Sequence, residues 1–434
     1  MDGPGALELA KHTLLVFGVV LGVGTLASLA ARYLRVPDVV VFLLAGLLLG
    51  PFAFGLVDIR ADSMVNQLIL IFGASYILFD GGASVRFRVL REVWITVLVL
   101  ATLGVLVTAG VTAVAAQQFL GLPIGPAILL GAVVASTDPA TLVPVLRQVR
   151  IRPRVAQTVM TESAFNDAMG AILTFTVLGV LMGTSQFSLP AVGGGLAIQL
   201  GLGLLIGIAF GYGAAFVISD ERFGLLADYA RFVTLIAVIG AYMAADGLGS
   251  SGFMAVFVFG MILGNQDQLG FRRVDSNEAV LEDFVMTTAV VMRMFIFILL
   301  GSQVDLGLVG QHFLGGILVV AVFIFVARPL TVVVSCWPDR RARWSRNELL
   351  FMCWTRETGV IPGALAGLLV GLGAPEARVI AAVTFIAVLV TILVQATTTR
   401  WLARRLDLLD DSVGVPSATA ATAVTVEAAG FQGR

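Results

Sequence analysis

The sequence predicts an all-α polytopic membrane protein of about 13 transmembrane helices, built as inverted-topology repeats with two discontinuous helices. Three observations predict it. The 434 residues are 58% hydrophobic and only 13% charged, whereas a soluble globular chain carries about a quarter charged residues. Apolar runs of about 20 residues, the length of a spanning helix, follow one another almost without interruption. Two runs, the fifth and the twelfth, are broken mid-span by proline beside polar residues, and paired interruptions mark an inverted-repeat transporter and its binding site. The formal net charge of −1, with no basic patch, gives no reason to expect nucleic acid as a partner. The lipid bilayer is the expected surround.

The runs lie at roughly 12–31, 38–57, 64–84, 93–116, 123–146, 155–183, 190–218, 227–246, 250–265, 280–303, 312–335, 347–371 and 375–400. Basic residues in the loops test this division independently. Arg32, Arg35, Arg86, Arg88, Arg91, Arg147, Arg150, Arg152 and Arg154 follow odd-numbered runs. So do Arg222, Arg272, Arg273, Arg340, Arg341, Arg343, Arg346, Arg404 and Arg405, while even-numbered runs are followed only by Arg60 and Arg378. By the positive-inside rule the N-terminus is expected outside and the C-terminus in the cytoplasm. Residues 1–410 form the expected transmembrane domain. Residues 411–434 are small and polar without apolar periodicity, which predicts a flexible cytoplasmic tail. Gly203, Gly207 and Gly211, like Gly18 and Gly22, recur every four residues and permit close helix approach, within a subunit first and between subunits second. Cys336 and Cys353 fall in or beside apolar runs, so no disulfide framework is expected.

Ionisable groups stand out against this background, because a charge at the bilayer centre costs about 3 kcal/mol or more. Asp80, Asp138, Glu162, Asp167, Arg293, Arg328, Arg356 and Glu357 all fall at membrane depth. In VVASTDPATLVPVL (133–146), Pro139 removes a backbone donor, so carbonyls near Ala135 and Ser136 lose helical partners. Such a break is tolerated only where protein or a water-filled cavity surrounds it. Freed carbonyls with Thr137 and Asp138 make an oxygen-rich nest suited to a small cation. In TESAFNDAMG (161–170), Ser163 and Asp167 share one helix face, and Glu162 and Asn166 share a neighbouring one. In CWTRETGVIPGALAGLL (353–369), Arg356 and Glu357 precede a break at Gly359 and Pro362. Arg356 is the expected partner of Glu162, with Arg293 the alternative, which leaves Asp167 to titrate.

These motifs together resemble the monovalent cation/proton antiporter superfamily, in its sodium/proton branch with an Asn-Asp pair in the sixth span. The resemblance covers nearly all of residues 12–405 and rests on TDP (137–139), ESAFND (162–167) and VTILVQATTTRWLARRL (390–406). It implies that Asp167 carries the cation or the proton, and that Ser163, Thr137 and Asp138 help to ligate Na⁺. Asn166 then supports the site, and Glu162 pairs with Arg356. The FDGG around Asp80 resembles a third-span motif near the ion path. This chain departs from many relatives, in which glycine follows the arginine directly, by carrying Glu357 and Thr358 before Gly359. The resemblance further implies a homodimer in the inner cell membrane, a core bundle moving against a dimerisation domain, and no cofactor.

One carboxylate that holds either a proton or a cation would couple the two fluxes, one for one, without ATP. The alternatives weighed are K⁺ in place of Na⁺, a cation channel using the same oxygens, and an intramembrane hydrolase. The last has little support: the two histidines, His12 and His312, sit at span ends, and no HExxH or GxSxG occurs.

Overall fold

The computed structural model describes residues 4–34, 36–137, 151–184, 189–219, 226–271, 275–339 and 341–409. Asp138, most of the arginine-bearing connection up to Arg150, and the predicted tail lie outside the described residues. Among those described there are helices and one isolated antiparallel bridge, Ile151 to Leu409, but no strand. The helices are α1 (Pro4–Leu34), α2 (Asp38–Leu49), α3 (Met64–Ser84), α4 (Phe87–Ala101), α5 (Leu103–Leu120) and α6 (Ile124–Val134). There follow α7 (Pro153–Leu181), α8 (Leu189–Ile218), α9 (Ala230–Gly247), α10 (Gly252–Leu263), α11 (Asp275–Ser302) and α12 (Leu306–Val322). The last are α13 (Arg328–Cys336), α14 (Arg346–Trp354), α15 (Val360–Gly371), α16 (Ala377–Val390) and α17 (Thr397–Arg405).

Each predicted apolar run holds helix. Among the described residues, 9 helices or fused helix pairs are long and apolar enough to cross a membrane, and α2, α6, α10 and α15 are shorter apolar helices. The second run is not helical to residue 57: α2 stops at Leu49, the chain turns at 51–54 and continues without regular structure to Arg60. Gly50 takes the extended conformation that the following Pro51 favours, which ends the helix. α12 and α13 are joined through a π-helical turn at Phe323–Ala327, and α16 and α17 through another at Thr391–Ala396.

Helix starts follow local chemistry. Ser63, Ser251 and Asp305 each accept a hydrogen bond from the backbone N–H three residues on, and Ser345 with Glu348 forms a reciprocal capping box. α10 is buried along its whole length, as expected of a helix that is apolar all round. It packs between α3 and α8. The Gly203–Gly207–Gly211 stripe of α8 faces it, and a methyl at Gly207 would stand 2.5 Å from the Ala255 carbonyl oxygen. That stripe therefore serves packing within the chain. Gly18 and Gly22 on α1 have open space beside them.

Two sub-bundles emerge from the packing. One joins α1, α2, α3, α8, α9, α10 and α11; the other joins α4 to α7 and α12 to α17, and they meet where α3 and α11 touch α15 and where α3, α8 and α10 touch α7. Loops that follow odd-numbered runs meet one another: Arg86 donates to the Gly264 carbonyl at 3.0 Å, and Asn347 donates to the Leu406 carbonyl at 2.9 Å. Loops that follow even-numbered runs meet at the opposite end, where Gln303 donates to the Ile59 carbonyl at 3.1 Å. The alternation read from the arginines is thus an alternation of the two ends of the bundle. Large apolar side chains, among them Leu14, Leu205, Ile236 and Leu314, cover the outside of the bundle, a surface fit for hydrocarbon rather than water.

Candidate cation site

α6 ends at Val134, and Ala135, Ser136 and Thr137 leave the helix. The apolar sequence up to this point keeps α6 deep in the bundle, while the Pro139 that follows cannot supply a backbone donor. Polar groups freed by the break must therefore find partners in neighbouring helices, and α7 supplies them. Asn166 accepts from the Thr137 backbone N–H at 2.9 Å, and its amide donates to the Thr137 hydroxyl at 2.8 Å. The Thr137 hydroxyl also lies 2.9 Å from that of Ser163. The Ser136 hydroxyl donates to Asp167. All five side chains are buried.

The structure thus brings together four of the predicted site residues, Thr137, Ser163, Asn166 and Asp167. Asp138 lies outside the described residues. Asp80 is half-buried on α3, the helix whose Gly81 faces Ala164 of α7, so it lies beside the site helix. Ser136, part of the sequence motif but given no role there, makes the direct bond to Asp167. Its signal was the run of two hydroxyl residues at the start of a proline break.

Glu162 forms the expected ion pair with Arg356, and the structure adds a closer partner to which the sequence assigned no acid. Its hydrogen-bonded partner is Arg328, which donates from Nη1 to Oε1 at 2.6 Å and from Nη2 to Oε2 at 2.8 Å. Arg356 stands 3.7 Å from Oε1 and shares the carboxylate without a hydrogen bond to it. Arg293 forms no ion pair with Glu162. The bidentate fork suits a planar guanidinium facing a carboxylate, and Arg328 is aimed at it from the first turn after the π-helical segment Phe323–Ala327. That same arginine donates to the carbonyls of Met352 at 2.7 Å and Thr355 at 3.2 Å, where α14 ends. The sequence did hold a signal, since a mid-span arginine demands an acid, but it could not say which one.

Arg356, in the break between α14 and α15, donates from Nη2 to the Ala135 carbonyl at 2.6 Å. The ring of Phe323 lies 5.3 Å from its guanidinium carbon. The carbonyl predicted to lose its helical partner is therefore held by an arginine from the other broken helix. Both arginines and Glu162 are buried, as is Glu357, the residue after Arg356. The result is a buried ionic cluster of Glu162, Arg328 and Arg356 beside the hydroxyls, amide and carboxylate around Asp167. Such oxygen-rich surroundings can ligate an alkali cation or hold a proton. Cys336 and Cys353 are free thiols.

The chain is similar to known proteins along most of its length. Residues 18–405 match the family described as sodium/hydrogen exchanger, transmembrane. The chain is 33% identical over 369 residues to Na(+)/H(+) antiporter 1 of Methanocaldococcus jannaschii, covering 80% of this chain and 81% of the relative. It is 32% identical over 407 residues to the K(+)/H(+) antiporter NhaP of Alkalimonas amylolytica, covering 91% and 68%. It is similar in structure to the sodium proton antiporter MjNhaP1 from Methanocaldococcus jannaschii at pH 8, with a TM-score of 0.81 at 28% identity, over 92% of this chain and 99% of that one. With the matched region running from α1 to the last turn of α17 and enclosing both broken helices, the chain belongs to the sodium/hydrogen exchanger family.

Proposed function

We propose that the protein is a secondary antiporter that exchanges Na⁺ for H⁺ by competition of the two for Asp167. One observation carries this: Asp167 is buried at the helix break with the Ser136 hydroxyl on its carboxylate, while the neighbouring Glu162 is already neutralised by Arg328. Asp167 is the carboxylate on which charge can be exchanged. A cation bound there excludes the proton and a proton excludes the cation, so each passage across the membrane carries one or the other. The exchange is one for one and electroneutral. Thr137, Ser163 and Asp138 complete the oxygen shell around Na⁺, with Asn166 bracing Thr137. Asp80 lines the approach.

K⁺ is the second reading of the cargo, favoured by the likeness to the K(+)/H(+) antiporter of Alkalimonas amylolytica. The protein works in the inner cell membrane with its N-terminus outside and its C-terminus in the cytoplasm, an orientation supported by the arginines gathered at one end of the bundle. It acts as a homodimer. The open stripe of Gly18 and Gly22, with exposed leucines such as Leu14 and Leu26 on the same helix, supports α1 as part of that contact. The reading is tested in proteoliposomes bearing an imposed pH gradient. Adding Na⁺, Li⁺, K⁺ or Rb⁺ in turn should dissipate the gradient for the transported ion and not for the others. Cation flux that leaves the gradient intact would identify a channel instead.

A further inference from the structure

The second helix break leaves backbone groups to be satisfied just as the first does, and α16 reaches them through its π-helical turn. Gln395 donates from Nε2 to the Trp354 carbonyl at 2.5 Å, at the last residue of α14. Thr391 accepts from the Thr358 backbone N–H at 3.1 Å, just before α15. Thr391, Gln395, Thr355, Arg356 and Thr358 are all buried. π-turns concentrate at functional positions, because the extra residue per turn redirects side chains that an α-helix would aim elsewhere. Here the turn pins the segment that carries Arg356 at both of its ends.

From that segment the contacts run on to the cation site. Arg356 holds the Ala135 carbonyl at 2.6 Å. The next two residues, Ser136 and Thr137, bond Asp167 and the pair Ser163 and Asn166. We infer that Thr391 and Gln395 are positioning residues of the cation site: they hold the second break in the register from which Arg356 fixes the first. The inference rests on the antiport reading for its transport consequences, but not for its structural ones. Neither residue touches the cation, so the effect is on how well the oxygen shell is arranged before the ion arrives.

Three substitutions test it in the full-length protein. Gln395→Met keeps the bulk and removes the donor, Thr391→Val keeps the shape and removes the acceptor, and Thr391→Ser retains the acceptor. The first two should raise the Na⁺ concentration for half-maximal exchange about 5-fold, the effect of about one lost hydrogen bond. They should also shift the pH profile of exchange, with the rate at saturating Na⁺ little changed, while Thr391→Ser behaves as the parent. Amide hydrogen exchange should quicken both at 355–358 and at 135–137. Faster exchange confined to 355–358, or a loss of rate that only follows the amount of folded protein, would overturn the inference. Should the parent fail to couple Na⁺ to protons, the antiport reading falls, and the amide exchange still decides whether α16 positions the first break.

Discussion

Arg356 Nη2 lies 2.6 Å from the carbonyl oxygen of Ala135, so a side chain in one broken helix satisfies a backbone group freed by the other. The two breaks are therefore a single unit. A buried carbonyl without a partner costs free energy comparable to a lost hydrogen bond, and a buried arginine without acceptors costs more. Each break thus stabilises the other. The residues that complete the unit, Thr137, Ser163, Asn166 and Asp167, sit on its α6 and α7 side.

Replacing Asp167 by Asn should abolish exchange while the protein folds normally. The amide neither titrates nor offers charge to a cation, yet it can still accept from Ser136. Na⁺-driven proton movement in proteoliposomes, together with the thermal unfolding curve in detergent, reads both halves of the prediction. Vigorous exchange by a folded Asp167→Asn protein would sink the mechanism.

Arg328 and Glu162 should be strongly coupled. Removing the acid strands a buried guanidinium, so Glu162→Gln should destabilise by about 3–5 kcal/mol, and Arg328→Met should cost somewhat less because Arg356 still faces the carboxylate. The double substitution should cost less than the sum of the two. The same cycle with Arg356 in place of Arg328 should give a smaller coupling, because at 3.7 Å Arg356 makes no hydrogen bond to the carboxylate. Denaturant or thermal unfolding of the four proteins in each cycle measures this. Equal couplings in both cycles would mean that the carboxylate is shared evenly.

Electroneutral exchange predicts indifference to membrane potential. Clamping the potential with valinomycin and K⁺ should leave the initial rate of Na⁺/H⁺ exchange nearly unchanged. A strong dependence on potential would require a second carried proton.

The last described residues are a structural latch. After α17 the chain reverses at Asp407, Leu408 is buried with Ile151, Val155 and Phe351, and Arg152 donates its backbone N–H to the Leu408 carbonyl at 3.0 Å. This ties residues 407–409 to the start of α7, the helix that carries Asp167. Leu408→Ala should therefore lower stability by about 2–4 kcal/mol, the usual cost of a leucine truncated in a packed core. Removing residues 410–434 should leave the melting temperature unchanged. A fall in melting temperature on that deletion would show that the polar end of the chain bears on the fold.

Much of this protein was legible in its residue order because the signals are local. Hydropathy over about 20 residues reports membrane helices, and the loop arginines divide the runs into two ends. A proline beside Thr137 and Asp138, or Gly359 and Pro362 after Arg356, marks a break wherever the helix happens to lie. Helical spacing likewise puts Ser163 and Asp167 on one face and Asn166 on the adjoining one, whereas their meeting with Thr137 was implied by the family resemblance and not by spacing. The ion pair of Glu162 with Arg356 was readable too, but the hydrogen-bonded partner of Glu162 was not. Arg328 lies 166 residues away, and which of the two guanidinium groups comes close enough to hydrogen-bond the carboxylate depends on the rotation of α13 and α14 against α7, which packing sets. The π-turns, the Ser136 bond to Asp167 and the latch at Leu408 are of the same kind. Each exists because a buried polar or apolar group had to be satisfied by whichever neighbour the assembled bundle brought within reach, and linear spacing carries no record of that choice.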